Sequence, residues 1–358
     1  MAAYRSQIQQ SLHYFARPHQ EIRRTPIGGR AAWRGGDLRP EQWLETLDAA
    51  AIEELCAALK HAGDCGRPTG ELTRDDFPLP NLGSRFAGWR DELSRGRGFL
   101  VLRGIPVERF SETEAERFFW CFGLHMGIPG AQNPQGDLVG HVRDTGAPMD
   151  GSVRQYRTRE AIDYHCDLAD VVGLLCLRTA ASGGTSCIAS SVHAYDEIVR
   201  RRPDLVDQLY RPMKVDTKGE GGIPFIPVEP CRYAEGQLRT FWHSSYFRSL
   251  ERYDWAEPLT DPEREVLQLH SKIMAEPGTA LHMELRRGDI QMVNNHTIVH
   301  GRGAFEDGDQ PRHLLRLWLS LPHPQGLASR LRAERSRLQV LGRLVGMRLK
   351  ARFTSQWK

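Results

Sequence analysis

The second half of the chain contains a series of short segments rich in apolar and β-branched residues, and this pattern restricts the fold more than any other feature. Between residues 173 and 321, six segments read as strand candidates: GLLCLR, TSCIASS, RTFWHSSYF, TALHMEL, DIQMVNNHTIVH and RHLLRLWLSL. Helical spacing interrupts them at 192–202 and 261–275. Many short strands with few helices between them are typical of a barrel or jelly roll. We therefore expect a mainly β fold with flanking helices.

The last of these segments carries arginines on a face that we expect to be buried. Residues 288–300 read as one strand ending near His300, EDGDQP has turn chemistry, and RHLLRLWLSL alternates again, which predicts an antiparallel pair. Arg312, Arg316 and Trp318 then share one face of the second strand. A guanidinium cannot lose its proton, so the buried arginines need either internal carboxylates or a bound anion. Both alternatives are open from these residues alone.

The first third of the chain reads as mostly helical. Apolar residues recur at helical intervals from Pro40 to His61. A short buried strand, RGFLVLRGIP, then leads into a helix whose capping box is formed by Ser111 and Glu114. We expect three parts: a helical N-terminal extension packed on the barrel (1–94), a β domain (95–322) and a basic C-terminal helix (323–358).

Charge is distributed unevenly along the chain. Residues 325–358 carry a net charge of +8, so the remaining chain has −5. A slightly acidic body argues against a nucleic-acid surface, and we expect no nucleic-acid partner. The tail predicts an amphipathic helix that docks on the body or on a second copy of the chain, and the second alternative predicts a homodimer. Its apolar side carries Leu331, Leu338, Leu341, Val345 and Leu349.

The cysteines and the lack of long apolar runs indicate where the protein works. The seven cysteines are an odd number at scattered spacings, and no C-x-x-C pair is present. This usage suits a reducing compartment. Residues 1–30 contain no apolar signal core, and no uninterrupted apolar run of about 18 residues occurs. We expect a cytoplasmic protein that does not enter a membrane.

The segment YHCDLADVV places a histidine and an aspartate two positions apart before an apolar stretch. On an extended strand His165 and Asp167 project from one face, and burying both is costly unless they satisfy each other or hold a cation. His300 follows 133 residues after Asp167, and Arg312 comes twelve residues later. Two histidines and one carboxylate form the ligand set of non-haem iron oxygenases. An arginine nearby is suited to the distal carboxylate of a chelating dicarboxylate.

Together these segments resemble the taurine and 2,4-dichlorophenoxyacetate dioxygenase type of the Fe(II)/2-oxoglutarate-dependent oxygenases. The resemblance covers roughly residues 95–320 and rests on GFLVLRG, GAQNPQGDLVGHVRD, YHCDLADVVGLLCLR, SGGTSCIASS and NNHTIVHGRGAFED followed by PRHLLRLWL. It implies a double-stranded β-helix, which is a jelly roll forming a cupin-like barrel. It also implies Fe(II), 2-oxoglutarate as cosubstrate, and O2.

The same resemblance implies roles for individual residues. His165, Asp167 and His300 would be the iron ligands and the catalytic centre. Arg312 would hold the far carboxylate of 2-oxoglutarate. Because Asp167 occupies the position where related halogenases carry a small residue, we do not expect halogenation.

Further residues are candidates for binding cosubstrate or substrate. Thr185 or Ser186, which follow a Gly-Gly pair, would touch 2-oxoglutarate by this resemblance, and Arg316 would contact the cosubstrate or a substrate anion. Asn294 shares a strand face with His300 and could line the pocket. Trp242 lies in a strand-like run and could border the substrate, although aromatic residues at alternating positions are more often core.

The expected activity is oxidation, most often hydroxylation, of a C–H bond of a small organic substrate with release of succinate and CO2. Loops at 144–160 and 217–230 are candidate lids. Two alternatives stay open. A non-catalytic metal-binding barrel would not need Arg312, and a zinc hydrolase on a cupin-like barrel would need neither O2 nor 2-oxoglutarate.

Overall fold

A computed structural model describes residues 4–133, 135–146, 157–217, 224–253, 256–322 and 327–353. Both candidate lids include residues outside this part of the chain, namely 147–156 and 218–223. The α-helices of the described residues are α1 (Gln7–Phe15), α2 (Ala49–Asp64), α3 (Gly83–Arg95), α4 (Glu112–Met126), α5 (Ser191–Arg201), α6 (Ser244–Arg248), α7 (Asp261–Ala275) and α8 (Leu327–Phe353).

Short strands supply most of the remaining regular structure, as the repeated short segments predict. They are β1 (Leu44–Thr46), β2 (Phe99–Arg103), β3 (Ile128–Gly130), β4 (Gly140–Val142), β5 (Ile162–His165), β6 (Val171–Arg178), β7 (Ser182–Gly183), β8 (Ser186–Ser190), β9 (Met213–Asp216), β10 (Phe225–Val228), β11 (Cys231–Ala234), β12 (Gln237–Thr240), β13 (Leu281–Met283), β14 (Ile290–Asn294), β15 (Ile298–Arg302), β16 (Phe305–Glu306) and β17 (His313–Ser320).

Two sheets organise these strands. The larger has the order β1-β2-β14-β6-β17-β3, with β4 also paired to β17, and the smaller has the order β13-β8-β15-β5. Within these two sheets only β1 and β2 run parallel; the other pairs are antiparallel.

One apolar cluster lies between the two sheets. It joins Val172, Val293 and Trp318 of the larger sheet to Ile188 and Ile298 of the smaller one. Burial of apolar side chains from both sheets holds the layers together. The prediction of a mainly β fold with flanking helices is therefore confirmed.

The predicted strand over residues 288–300 is wrong, because the chain turns in its middle. The backbone N–H of Thr297 donates to the carbonyl of Asn294 at 3.1 Å, and the N–H of His296 donates to Oδ1 of Asn294 at 2.8 Å. Asparagine favours such turns because its side chain bonds to nearby backbone. The turn sends β14 into the larger sheet and β15 into the smaller one, so the predicted β15–β17 pair does not form.

The helical predictions hold in part. The capping box of Ser111 and Glu114 starts α4, and α5 and α7 lie where expected. The helix predicted from Pro40 begins only at Ala49, after the N-cap Asp48, because residues 44–46 pair with β2 as β1. The strand-like run at 239–247 ends at residue 240 and continues into α6.

The C-terminal helix α8 packs against α1. Ala333 and Ser336 are buried, whereas Leu331, Leu338 and Val345 are 55 to 62% exposed. The homodimer therefore stays a prediction. All seven cysteines are free, and among the described residues no helix combines the length and apolar character needed to cross a membrane.

Candidate metal centre

His165, Asp167 and His300, which we call the inner cluster, meet because β5 and β15 run side by side. His165 ends β5 and lies directly opposite His300 in the antiparallel ladder. The two ring centroids are 4.4 Å apart, and Asp167 follows two residues after the strand. One nitrogen from each ring and one carboxylate oxygen all lie within 4.8 Å of one another. Such spacing around one point suits a metal ion.

The imidazole of His165 presents a free lone pair to the centre of this cluster. Nδ1 of His165 lies 2.9 Å from the carbonyl oxygen of Asp163. A carbonyl only accepts, so Nδ1 carries the proton and Nε2 keeps its lone pair, 4.0 Å from Asp167. Burial lowers the pKa of His300 to about 3. Its ring is therefore neutral at pH 7, and its Nε2 lies 3.9 Å from Asp167.

The carboxylate of Asp167 is held from behind by two residues of β17. The indole N–H of Trp318 donates to Oδ2 of Asp167 at 2.9 Å, and Nη1 of Arg316 lies 3.8 Å from the same oxygen. Burial alone would raise the pKa of Asp167, but the charge of Arg316, together with the two imidazoles and the bond from Trp318, outweighs burial and lowers the pKa to about 2. The carboxylate is thus ionised and oriented, which a metal ligand requires.

Asn295 holds the segment that carries Asp167, a role that the alternation of residues 288–300 does not predict. Its Oδ1 accepts from the backbone N–H of Asp167 at 3.2 Å, and its Nδ2 donates to the carbonyl of Ala169 at 2.8 Å. Asn294, the candidate pocket residue, instead donates to the carbonyl of Leu93 and forms the turn with His296. The Asn-Asn pair was itself a turn signal that could have revealed this arrangement.

Two buried arginines flank the ring of Phe305 near the ends of β15 and β17. The guanidinium carbons of Arg302 and Arg312 lie 4.7 and 5.1 Å from the ring centroid, and each residue is less than 9% exposed. Nη2 of Arg302 donates to the carbonyls of Thr158 (2.9 Å) and Glu160. Within the described part of the chain, Nη1 of Arg312 and both Nε and Nη1 of Arg302 have no hydrogen-bond partner.

Burial disfavours the charged form of both arginines. Burial, together with the charge of Arg312, lowers the pKa of Arg302 to about 10, and burial likewise lowers the pKa of Arg312. Buried N–H groups without acceptors are costly, and they are more costly when charged. A small dianion with a carboxylate near Arg312 would satisfy them.

The Gly-Gly pair before β8 lets the chain approach Arg312 closely. Gly184 has a φ of +75°, and a Cβ there would lie 3.1 Å from Nε of Arg312. The hydroxyl of Ser186 is bonded to Gln291 at 3.0 Å, and that of Thr185 to Glu284. A cavity of about 400 Å³ borders this region and is lined by Arg312, Gly184 and Glu284.

Arg316 and Trp242 occupy different surroundings. Nε of Arg316 donates to Oε1 of Gln132 at 2.7 Å, and Gln132 donates back to the carbonyl of Arg316, so this arginine is fixed beside the inner cluster. Trp242 is 4% exposed and stacks on His270 of α7 with centroids 3.6 Å apart. Its ring belongs to the packed core under the smaller sheet.

The chain matches known proteins over most of its length. Residues 66–318 match the model of the family described as "Taurine catabolism dioxygenase TauD, TfdA family". FR-33289 synthase of Streptomyces rubellomurinus is 31% identical over 328 residues, which cover 88% of this chain and 96% of that protein. Taurine hydroxylase-like protein SAT17 of Stachybotrys chartarum is 28% identical over 81% of this chain and 79% of its own.

Solved structures share the fold at lower sequence identity. An asparagine oxygenase in complex with Fe(II), 2S,3S-3-hydroxyasparagine and succinate superposes with a TM-score of 0.62 at 18% identity, covering 78% of this chain and 93% of that one. The non-heme iron oxygenase OrfP in complex with Fe, succinate and (3S)-hydroxy-L-Arg superposes with a TM-score of 0.58 at 14% identity, covering 78% and 94%. By its match over residues 66–318, the chain belongs to the TauD/TfdA family and is a 2-oxoglutarate-dependent non-haem iron dioxygenase.

Proposed function

We propose that the protein hydroxylates a C–H bond of a small organic substrate. In this reaction 2-oxoglutarate loses CO2 and becomes succinate; one oxygen atom of O2 enters succinate and the other enters the substrate, so that atoms and electrons balance. The observation that carries the proposal is the inner cluster, and it is supported by the buried Arg302 and Arg312, whose N–H groups are partly without hydrogen-bond partners among the described residues. The relatives support it, since asparagine oxygenase and OrfP were solved with hydroxylated amino acids and succinate.

In this proposal the inner cluster binds Fe(II) through Nε2 of His165, a carboxylate oxygen of Asp167 and Nε2 of His300. Two nitrogen donors and one carboxylate are the set that ferrous oxygenases use, and they leave coordination positions for cosubstrate and O2. When bound, the iron supplies the oxygen chemistry. The protein contributes the ionised Asp167, the two imidazoles and the bond from Trp318 that fixes the carboxylate.

Arg312 is the residue that we assign to the far carboxylate of 2-oxoglutarate. Its planar guanidinium can give two parallel hydrogen bonds to a carboxylate, and its Nη1 has no acceptor in the described structure. Arg302 adds a second positive charge beside the same ring. Ser186 or Thr185 would add a hydroxyl donor after exchanging its present bond to Gln291 or Glu284.

We assign Arg316 to the substrate or to the near end of the cosubstrate. It lies beside Asp167 and is held by Gln132. A small substrate with an acidic group would therefore be oriented towards the iron. Asn294 and Trp242 stay predictions as substrate contacts, and their present contacts with Leu93 and His270 are structural.

The architecture fits the double-stranded β-helix that we also propose. The two sheets face each other across one apolar cluster, and Ser186 of the smaller sheet bonds Gln291 of the larger one. The division into 1–94, 95–322 and 323–358 is likewise a proposal, with β1 of the first part already paired to the larger sheet.

The proposal is tested in two stages. Without oxygen, Fe(II) followed by 2-oxoglutarate should produce the visible charge-transfer band of a chelated ketoacid. With oxygen, a library of small acids and amino acids should contain compounds that stimulate succinate release and gain one oxygen atom by mass. Absence of the band would overturn the cosubstrate assignment. Turnover that persists with zinc and without O2 would support a hydrolase instead.

A further inference from the structure

A second group of metal-ligating side chains lies on the opposite face of β17 from Arg312 and Arg316. His313 follows Arg312 in the chain, and its side chain points to the other face of β17. There it meets His141 of β4 and Glu112 at the start of α4. Glu116 lies one helical turn after Glu112. We call Glu112, His141 and His313 the outer cluster. Three separate elements supply its members, so the tertiary fold brings them together.

The atoms of the outer cluster are close enough to share one ion. Nδ1 of His141 lies 2.9 Å from Nε2 of His313 and 3.7 Å from Oε1 of Glu112. One donor atom from each residue lies within 4.8 Å of the others. Donors about 2.0–2.1 Å from a tetrahedral zinc ion are roughly 3.4 Å apart. The two separations from His141, 2.9 and 3.7 Å, bracket this value. Oε2 of Glu112 lies 3.8 Å from Nδ1 of His313, so its carboxylate must turn towards Nε2 when an ion binds.

Glu116 supports the cluster from outside. Its Oε1 lies 3.4 Å from Nε2 of His141, so the ring can direct Nε2–H to Glu116 and its Nδ1 lone pair to the centre. Histidines that bind metals commonly place their other nitrogen against a carboxylate in this way. The side chain of His141 is 29% exposed and that of Glu112 is 47% exposed, which gives an ion a path from solvent.

We propose that the outer cluster is a second divalent-metal site, which zinc can occupy, in which His141 Nδ1, His313 Nε2 and Glu112 are the ligands and water fills the fourth position. The proposal does not depend on the role of the inner cluster. Two imidazoles and a carboxylate suit zinc.

One contact opposes the ion and makes the proposal testable. Nη2 of Arg178 donates to Nδ1 of His313 at 3.3 Å, so without metal the proton of this ring is on Nε2 and points to His141. Metal at Nε2 moves that proton to Nδ1, and the N–H of Arg178 must then leave. Arg178 keeps its bond from Nε to the carbonyl of Pro311 at 3.0 Å. Removing the guanidinium should therefore strengthen zinc binding.

The experiment counts zinc in the full chain after equilibrium dialysis and elemental analysis. We expect about two zinc ions per chain in the wild type, about one in His141→Ala and about one in His300→Ala, which removes an inner ligand. The exposed His61→Ala is the control and should match the wild type. Equal counts in the wild type and His141→Ala would overturn the outer site. Failure of the inner site alone would instead give one ion in the wild type and none in His141→Ala.

The zinc affinity of Arg178→Gln distinguishes a metal site from a pair of histidines that only hydrogen-bond to each other. Loss of the competing donor and of its charge should tighten zinc binding by about 10-fold, measured by competition with a chromophoric chelator. Glu112→Gln should weaken it by a similar factor. Unchanged affinity in both variants would show that His141 and His313 only bond to each other, and would overturn the proposal.

Discussion

The inner and outer clusters contain the same donor types, two imidazoles and a carboxylate, yet they differ in where the protons lie. In the inner cluster the carbonyl of Asp163 fixes the proton of His165 on the far nitrogen, so a lone pair faces the centre. In the outer cluster Arg178 occupies the far nitrogen of His313, so a proton faces the centre. The group bonded to the outward-facing nitrogen of an imidazole therefore determines whether the inward-facing nitrogen can bind a metal at once or must first lose its proton.

The carboxylate of the inner cluster is also more buried and more firmly held than that of the outer cluster. Asp167 is 11% exposed and is bonded to Trp318 and close to Arg316, whereas the Glu112 side chain is 47% exposed. A carboxylate held in one orientation needs little reorganisation when an ion arrives. We therefore expect tight binding at the inner cluster and weaker, exchangeable binding at the outer one.

The largest expected effect tests the inner carboxylate. Asp167→Ala should lower 2-oxoglutarate turnover by more than about 100-fold, because it removes a ligand and not merely a residue that orients one. Succinate formation at saturating Fe(II) measures it. Asp167→Asn keeps an acceptor for the N–H of Trp318 and is the control for misfolding. Its thermal unfolding temperature should match that of the wild type. An Ala variant that retains a tenth of the activity would contradict the ligand assignment.

The next effect concerns the cosubstrate. Arg312→Lys should raise the KM for 2-oxoglutarate by about 10- to 100-fold, because an ammonium cannot reproduce two parallel hydrogen bonds. Arg103→Lys is the matched control, since Arg103 makes a two-bond pair with Asp289 at 2.9 and 2.8 Å and so has its own carboxylate partner. It should lower stability and leave KM unchanged. Equal KM values in Arg312→Lys and the wild type would remove Arg312 from this role.

A smaller effect tests the residue behind Asp167. Trp318→Phe removes the N–H bond to the carboxylate and should weaken Fe(II) binding by about 10-fold. Trp33→Phe is closely matched, because Trp33 lies in the same apolar cluster, is similarly buried, and also makes a 2.9 Å bond, to the carbonyl of Arg97. Both variants should lose similar stability. If both also lose similar iron affinity, the effect of Trp318 is only structural.

The elements of this fold were predictable where the local pattern and the tertiary structure agree. The alternation over 312–321 predicts β17 and its two faces, and Ser111 with Glu114 predicts the start of α4. The pattern fails where a strand changes sheet. Residues 288–300 carry apolar residues on both sides of the turn because β14 and most of β15 are buried, and this pattern alone does not report the turn at Asn294.

The site was predictable in its residue types but not in its supports. The spacing of His165, Asp167 and His300 indicated the ligand set, and the structure brings these three together. The supporting contacts of Asn295 and Trp318 depend on a turn and on a partner across the two sheets, which periodicity does not encode. A buried tryptophan beside Arg316 was a signal, because its N–H needs an acceptor.

The smallest expected effect separates acid sensitivity of the fold from acid effects on the two clusters. Burial lowers the pKa of His270 to about 3, away from both clusters. In the unfolded chain His270 binds a proton near pH 6.5, whereas in the folded chain it stays neutral down to about pH 3. The free energy of unfolding therefore falls as the pH drops below 6.5. Between pH 7 and 6 this histidine should cost about 0.7 kcal/mol. His270→Leu should reduce the pH 7-to-6 loss in urea unfolding by that amount. An unchanged loss of stability would mean that other histidines cause the acid response. Metal binding measured at low pH would then have to be corrected for that loss of stability.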